Sequence, residues 1–83
     1  MMSLVENTHY NVLLFYKFVD VADPAALRDA QRAFCELHGI KGRILIGEEG
    51  INGTLEGTKE ATDAYVAMMN AHPLFSDMPF KRS

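Results

Sequence analysis

The 83-residue sequence is poor in three features, and each shortage excludes a class of protein. A single cysteine cannot form an internal disulfide, which fits the reducing cytosol. No run approaches the roughly 18 apolar residues of a membrane-spanning helix, and the N-terminus carries no basic segment of the kind that begins a signal peptide. Eight lysines and arginines against eleven acids give a formal net charge of -3, which argues against a freestanding nucleic-acid-binding module. We therefore expect a cytoplasmic protein without a membrane partner.

The residues that are present predict one small folded domain. Apolar residues make up 48% and charged residues 23%, which is the balance of a globular chain. We expect residues 1–9 to be a flexible leader and residues 10–83 to form the domain. Residues 11–19, NVLLFYKFV, are almost continuously apolar and predict a central strand with both faces at least partly covered. Alternation divides them into two sets: Val12, Leu14, Tyr16 and Phe18 on one face, and Leu13, Phe15, Lys17 and Val19 on the other.

Capping residues predict two helices. Asp23-Pro24 is a helix start and Gly39 a left-handed helix end, which places the first helix over residues 24–38. Thr58 is the expected N-cap of the second helix, which His72-Pro73 ends. The apolar stripe of the first helix is expected at Leu27, Ala30, Phe34 and Leu37.

A β-hairpin is predicted between the helices. Its strands are residues 41–47 and 51–56, joined by Glu48-Glu49-Gly50 with Gly50 at positive φ. Residues 79–83 begin a further, truncated strand. The order β-α-β-β-α-β predicts an α+β, ferredoxin-like split βαβ sandwich with strand order 4-1-3-2. Its helices cover one sheet face, and the uncovered face, which would contact a neighbouring domain, is expected to carry Leu13, Phe15 and Val19.

The glycine-rich segment 42–57, GRILIGEEGINGTLEG, suggests either a phosphate cradle or a hairpin. Phosphate-binding glycines lie between a strand and a helix N-terminus, whereas these lie between two strands and two glutamates follow Gly47. The hairpin is therefore the preferred interpretation. Within it, Asn52, Gly53 and Thr54 are a candidate ligand contact, and the alternative is a turn-supporting asparagine beside a bulge glycine.

No catalytic, cofactor-binding or metal-ligating residue is predicted. Small domains of this plan include the acylphosphatases, but residues 19–23, which follow the first strand, have neither the arginine nor the glycine of their phosphate loop. Cys35 is interpreted as a core residue, and the adjacent side chains of Glu48 and Glu49 diverge too far for acid–base catalysis. The histidines, at positions 9, 38 and 72, lack metal-ligand spacing.

Basic residues supply one further hypothesis. Lys17 and Arg43 on the open sheet face, with Lys81 and Arg82 on the edge strand, would form a patch for RNA phosphates. The alternative is that these cations are solvated or pair with the acids of another domain.

Several motifs together resemble one family. YKFV at 16–19, Asp23-Pro24, GIKGRILIGEEGINGTLEGT at 39–58 and the ending Phe80-Lys81-Arg82-Ser83 are similar to the N-terminal domain of the rhodanese-related tRNA uridine hydroxylases, formerly described as sulfurtransferases. The resemblance covers the chain from about residue 10 onward. It implies an acylphosphatase-like domain that precedes a rhodanese domain and a cysteine-rich C-terminal region, both absent from these 83 residues. The reactive cysteine of the family belongs to the rhodanese loop, and Cys35 does not match it.

The function that the resemblance implies belongs to the parent protein, an oxidoreductase. The family is implicated in oxygen-dependent 5-hydroxylation of the wobble uridine of tRNA. The domain is expected to pack on the rhodanese domain, to help position tRNA and to have neither a cofactor nor an activity of its own. The alternatives are an accessory domain of a rhodanese-type sulfurtransferase, a stand-alone acylphosphatase-like phosphatase and a small binding module. A homodimer of the isolated domain through its exposed face is a further expectation.

Overall fold

The computed structural model describes residues 10–83, and the leader predicted at residues 1–9 lies outside them. Six elements follow one another: β1 (Tyr10–Phe18), α1 (Pro24–His38), β2 (Lys41–Gly47), β3 (Gly50–Thr58), α2 (Lys59–Ala71) and β4 (Lys81–Arg82). The four strands of residues 10–83 form one antiparallel sheet in the order β2-β3-β1-β4. The predicted ferredoxin-like plan is confirmed, with β1 and β3 inside the sheet and β2 and β4 at its edges.

The helices begin and end where the capping residues predict. At the start of α1, Asp23 Oδ1 accepts a hydrogen bond from the Ala26 N–H at 3.1 Å, and at the start of α2, Thr58 Oγ1 accepts one from Ala61 at 3.1 Å. Gly39 ends α1 with a left-handed φ of 69°. Neither helix of residues 10–83 is long and apolar enough to cross a membrane.

Both helices pack on the same face of the sheet, and a buried polar pair joins them. The Tyr65 hydroxyl of α2 donates to Gln31 Oε1 of α1 at 2.6 Å, and Gln31 Nε2 lies 3.3 Å from Met69 Sδ. Burial raises the pKa of Tyr65, so its hydroxyl remains a donor. The largest side chains that this core buries completely are Tyr65, Phe75, Leu13, Met69 and Thr62.

The predicted faces of β1 are reversed. Leu13 and Phe15 are buried under the helices, whereas Leu14, Tyr16 and Phe18 are exposed on the opposite face. Val19 also packs against the core. Hydrophobicity cannot orient this strand because both of its faces are apolar. The pairing with β3 orients it, since Phe15 lies opposite Gly53 and its ring fills the space that a side chain there would occupy.

The buried stripe of α1 also differs from the prediction. Leu37 is 81% exposed and Ala30 is exposed, whereas Gln31 is only 3% exposed. A hydrophobicity pattern does not identify Gln31 as buried, because its burial depends on its hydrogen bonds to the Tyr65 hydroxyl and to Met69 Sδ. The side chains that turn toward the core keep helical spacing: Leu27, Gln31, Phe34 and Cys35.

The predicted hairpin is confirmed, with Glu48 and Glu49 forming the turn. Gly50 has a φ of 152°, and a Cβ there would overlap the carbonyl oxygen of Lys17. Strand β3 continues past the predicted end at residue 56 as far as Thr58, and β4 is shorter than predicted.

Candidate functional site

The sheet face opposite the two helices, called the open face below, carries a patch of exposed apolar side chains. Alternation along β1 and β2 turns all of them away from the helices. Each is between 37% and 83% exposed: Tyr10, Leu14, Tyr16, Phe18 and Leu45. Apolar surface gathered in this way usually marks a site of contact with another protein or domain.

Polar side chains lie among these apolar ones in two rows across the sheet. One row pairs Tyr16 with Asn52, and Asn52 with Leu45. The other row crosses all four strands and has a cation at each end: Lys81, Leu14, Thr54 and Arg43. Three strand spacings separate its ends, which places the two cationic residues about 14 Å apart. The open face therefore has an apolar middle and basic ends.

A cavity of about 870 Å³ lies on the open face beside the β2–β3 turn. Tyr16, Phe18 and Leu45 supply its apolar lining, and Asn52 supplies an amide. The rings of Tyr16 and Phe18 meet edge to face with centroids 6.1 Å apart. Glu48, Glu49 and Lys17 also line this cavity. Because the two carboxylates outnumber the cation, the cavity suits an apolar or amide-bearing ligand surface better than a phosphate.

The structure brings four of the six candidate contact residues together on the open face and separates two. Lys17 points to the helix side, where Nζ donates to the Leu74 carbonyl at 2.8 Å and pairs with Asp77. That hydrogen bond lowers the pKa of Asp77. Gly53 also faces the helix side, where an added Cβ would lie 2.5 Å from Phe15 Cζ, so this glycine serves packing. The placement of Lys17 on the open face was therefore wrong, and Gly53 does not share a surface with Asn52 and Thr54.

Arg82 does not join the open face either. Its guanidinium lies on the helix side and pairs with Asp63 of α2 at 2.8 Å. Lys59 pairs with the same carboxylate at 2.8 Å, and these two cations lower the pKa of Asp63, Lys59 more strongly. Of the predicted RNA patch, only Arg43 and Lys81 remain on the open face.

The loop that would hold phosphate in an acylphosphatase is tied to the hairpin turn. The Val19 and Val21 N–H groups donate to the carbonyl oxygens of Glu49 and Glu48 at 2.9 and 3.0 Å. Asp20 lies between the two valines, so carboxylates gather where that chemistry requires a cation.

Cys35 occupies the inner side of α1, packed against the core. Burial raises the pKa of its thiol, which keeps the thiolate, the nucleophilic form, scarce near neutral pH. This agrees with the interpretation of Cys35 as a core residue.

A second surface, the groove between α1 and the β2 edge, was not predicted from the sequence. Its cavity measures about 500 Å³. Four cations line it, two from α1 and two from β2, with Glu36 as the carboxylate among its lining residues: Arg28, Arg32, Lys41 and Arg43. Two sequence spacings are compatible with this groove: the i, i+4 arginines of α1, and the Lys-Gly-Arg that opens β2. Nothing in the sequence by itself says that the two pairs converge.

Comparisons with known proteins agree with this architecture. The family described as UPF0176 acylphosphatase-like domain matches residues 10–83. Curated proteins named tRNA uridine(34) hydroxylase from Staphylococcus aureus strains Newman, USA300 and JH9 are each 52% identical over 73 residues. The match covers 88% of this chain and 23% of each relative, so the chain spans about a quarter of their length.

Proposed function

This chain belongs to the UPF0176 acylphosphatase-like domain family, and we propose that it serves a tRNA-modifying protein as its N-terminal accessory domain, binding the rest of that protein through the open face. The relatives are named tRNA uridine(34) hydroxylases. The reaction of the whole protein is then oxygen-dependent 5-hydroxylation of uridine 34, and the neighbouring domain is of rhodanese type. The accessory domain supplies contact surface and no reacting group.

The observation that carries this proposal is the apolar patch on the open face. Phe18 is 83% and Tyr16 67% exposed, and the helices of residues 10–83 lie on the other side of the sheet. Protein interfaces combine an apolar middle rich in aromatic residues with a polar rim. Arg43 and Lys81 supply such a rim here, and Asn52 and Thr54 supply hydrogen-bonding groups within it.

A stand-alone phosphatase is the competing function, and its chemistry finds little support. The candidate phosphate loop carries Asp20 and Asp23 and no cation, and Asn52 lies near the glutamates of the turn. Acyl phosphate hydrolysis by the 83-residue chain, with Asn52→Ala as control, distinguishes the two functions. Turnover that the substitution abolishes would replace our proposal.

The interface is tested by a matched pair of substitutions. Phe18 on the open face and Leu37 on α1 are 83% and 81% exposed, so replacing either with serine changes folding stability by no more than about 0.5 kcal/mol. In the full-length protein that carries this domain, Phe18→Ser should lower uridine 34 hydroxylation several-fold, and Leu37→Ser should leave it unchanged. Mass spectrometry of nucleosides from purified tRNA measures the product. Equal activity of both variants and the unsubstituted protein would contradict the proposal.

The isolated domain should associate with a second copy of itself through the same open face. An uncovered open face on the 83-residue chain can pack against a second copy, giving a homodimer. Sedimentation velocity at increasing concentration should detect it. Phe18→Ser should return the chain to a monomer, whereas Leu37→Ser should not.

A further inference from the structure

We propose that the groove between α1 and the β2 edge binds the sugar-phosphate backbone of tRNA. This inference rests on the proposed function for the identity of the nucleic acid, and it uses a surface other than the open-face patch. It also relocates the RNA contact that the sequence suggested, because Arg43 is the one cation of that predicted patch that lines the groove.

Charge segregation is the first argument for this groove. The salt bridges among residues 10–83 use Lys17, Lys59 and Arg82, all on the helix side of the sheet or on α2. The four groove cations are absent from those pairs, although the chain as a whole has a net charge of -3. Within residues 10–83 the groove therefore gathers four cations around one lining carboxylate, Glu36, in a chain with more acids than bases, and this gives it a local surface suited to an anion.

The spacing of the cations fits a linear polyanion. Arg28 and Arg32 are one helical turn apart, a rise of roughly 6 Å along α1. Lys41 and Arg43 lie on the same side of β2, roughly 6.6 Å apart. One cavity is thus lined by two pairs of cations with similar repeats, which successive phosphates along one strand can engage in turn. A single small anion would leave half of these cations unused.

Donor chemistry favours phosphate over a protein carboxylate surface. An arginine guanidinium can donate two parallel hydrogen bonds to the oxygens of one phosphate, and two of the groove arginines, Arg28 and Arg32, are held by the helix α1. Strand β2 is a sheet edge, so some of its backbone N–H groups point away from β3 and are open to a ligand at that edge. Backbone N–H groups are common phosphate ligands in nucleic-acid complexes. The floor of the groove is apolar, with Ile40 and Leu55 buried beneath the cations, and it excludes water from one side of the contact.

Binding of an unmodified tRNA transcript to the full-length protein, measured by fluorescence anisotropy across salt concentrations, tests the proposal. Arg28→Glu/Arg32→Glu should weaken binding by at least about tenfold, because each arginine contributes a charge-assisted contact. It should also lower the slope of log K against log salt by about 1 to 2, since two phosphate contacts are lost. Arg32→Glu alone should have roughly half of each effect.

Lys59→Glu is the matched control. It reverses one exposed cation on α2, as Arg32→Glu does on α1. It also breaks the exposed pair with Asp63, but the new acid lies in the first turn of its helix, where negative charge is favourable, so the chain should stay folded. This control should bind tRNA like the unsubstituted protein with an unchanged salt slope. Circular dichroism confirms that each variant is folded.

Three results would overturn the groove assignment. One is unchanged tRNA affinity and slope in Arg28→Glu/Arg32→Glu, and another is an equal loss in the Lys59→Glu control. The third is unchanged tRNA binding together with detachment of the domain from the rest of the protein, which would give the groove to an acidic protein surface. None of these results bears on the accessory-domain proposal, which the Phe18→Ser and Leu37→Ser pair tests separately.

Discussion

The two faces of the sheet differ in how far their apolar side chains are buried and in whether their cations are paired with carboxylates. On the helix side, Leu13 and Phe15 are buried, and the cations Lys17 and Arg82 are paired with carboxylates. On the open face, equally apolar side chains remain exposed, and the salt bridges of residues 10–83 include neither Arg43 nor Lys81. Residues 10–83 therefore cover one face of the sheet with their own helices and leave apolar side chains of the other face exposed. The difference teaches that, within residues 10–83, the position of the helices, more than hydrophobicity, decides which apolar side chains of the sheet are buried.

Adjacent leucines give the largest contrast between the faces. Leu13 is fully buried and Leu14 is 37% exposed on the same strand. Leu13→Ala should lower the free energy of unfolding by about 3 kcal/mol, because it leaves a cavity under the helices. Leu14→Ala should cost less than about 1 kcal/mol. Urea denaturation of the isolated chain measures both, and equal losses would refute the assignment of the faces.

Adding one methyl group at Gly53 should have the next largest effect. Gly53→Ala forces the new Cβ against the ring of Phe15, at a cost of about 2 kcal/mol. Thr54→Ala, the next residue on the opposite face, should change stability by no more than about 0.5 kcal/mol. In the Gly53→Ala background, Phe15→Leu should cost less than it does alone, because a smaller side chain makes room. Additive costs would show that the ring and the glycine do not depend on each other.

The buried hydrogen bond between the helices should matter less than the packing. Tyr65→Phe leaves Gln31 Oε1 without its donor inside the core, which should cost about 1 to 2 kcal/mol. Adding Gln31→Met removes the unpaired amide, so the double variant should be more stable than the sum of the single changes predicts. Thermal denaturation of the four proteins in the cycle checks this non-additivity.

The exposed pair of Lys17 and Asp77 should have the smallest effect, and it should depend on pH. Lys17 lowers the pKa of Asp77 in the folded chain. The pair therefore stabilises the fold above the unfolded pKa of about 3.9, and its contribution disappears as pH falls through the lower folded value. Asp77→Asn should be slightly less stable than the parent near pH 7 and equal to it in strong acid. A difference that persists in acid, or that Asp29→Asn on α1 reproduces, would contradict this account.

Much of the fold was predictable because local signals and topology agree. Asp23, Gly39 and Thr58 mark helix ends by backbone chemistry that acts within a few residues, and Gly50 marks the turn in the same way. The orientation of β1 was not predictable, since it depends on a ring lying over Gly53 of another strand. For the same reason Lys17 was misplaced, as its partners lie 57 and 60 residues further along the chain.

The candidate sites were predictable only in part. Alternation along β3 places Asn52 and Thr54 on one face, and pairing with β1 shows that this face is the open one. The groove required knowing that α1 packs beside the β2 edge, because Arg28 and Arg32 look like ordinary solvated residues in the sequence. Convergence of side chains from separate elements is a tertiary property, and a pattern within one element does not contain it.

Solvent labelling of the two aromatic side chains tests the central claim most directly. Hydroxyl-radical footprinting compares the labelling of Tyr16 and Phe18 in the full-length protein with that in the isolated chain, at a concentration where the isolated chain is monomeric. Leu37 is the internal reference, because its exposure is nearly equal to that of Phe18. The account predicts that Tyr16 and Phe18 become strongly protected in the full-length protein while Leu37 is labelled equally in both. Unchanged labelling of Tyr16 and Phe18 would show that the open face is not the contact surface of an accessory domain.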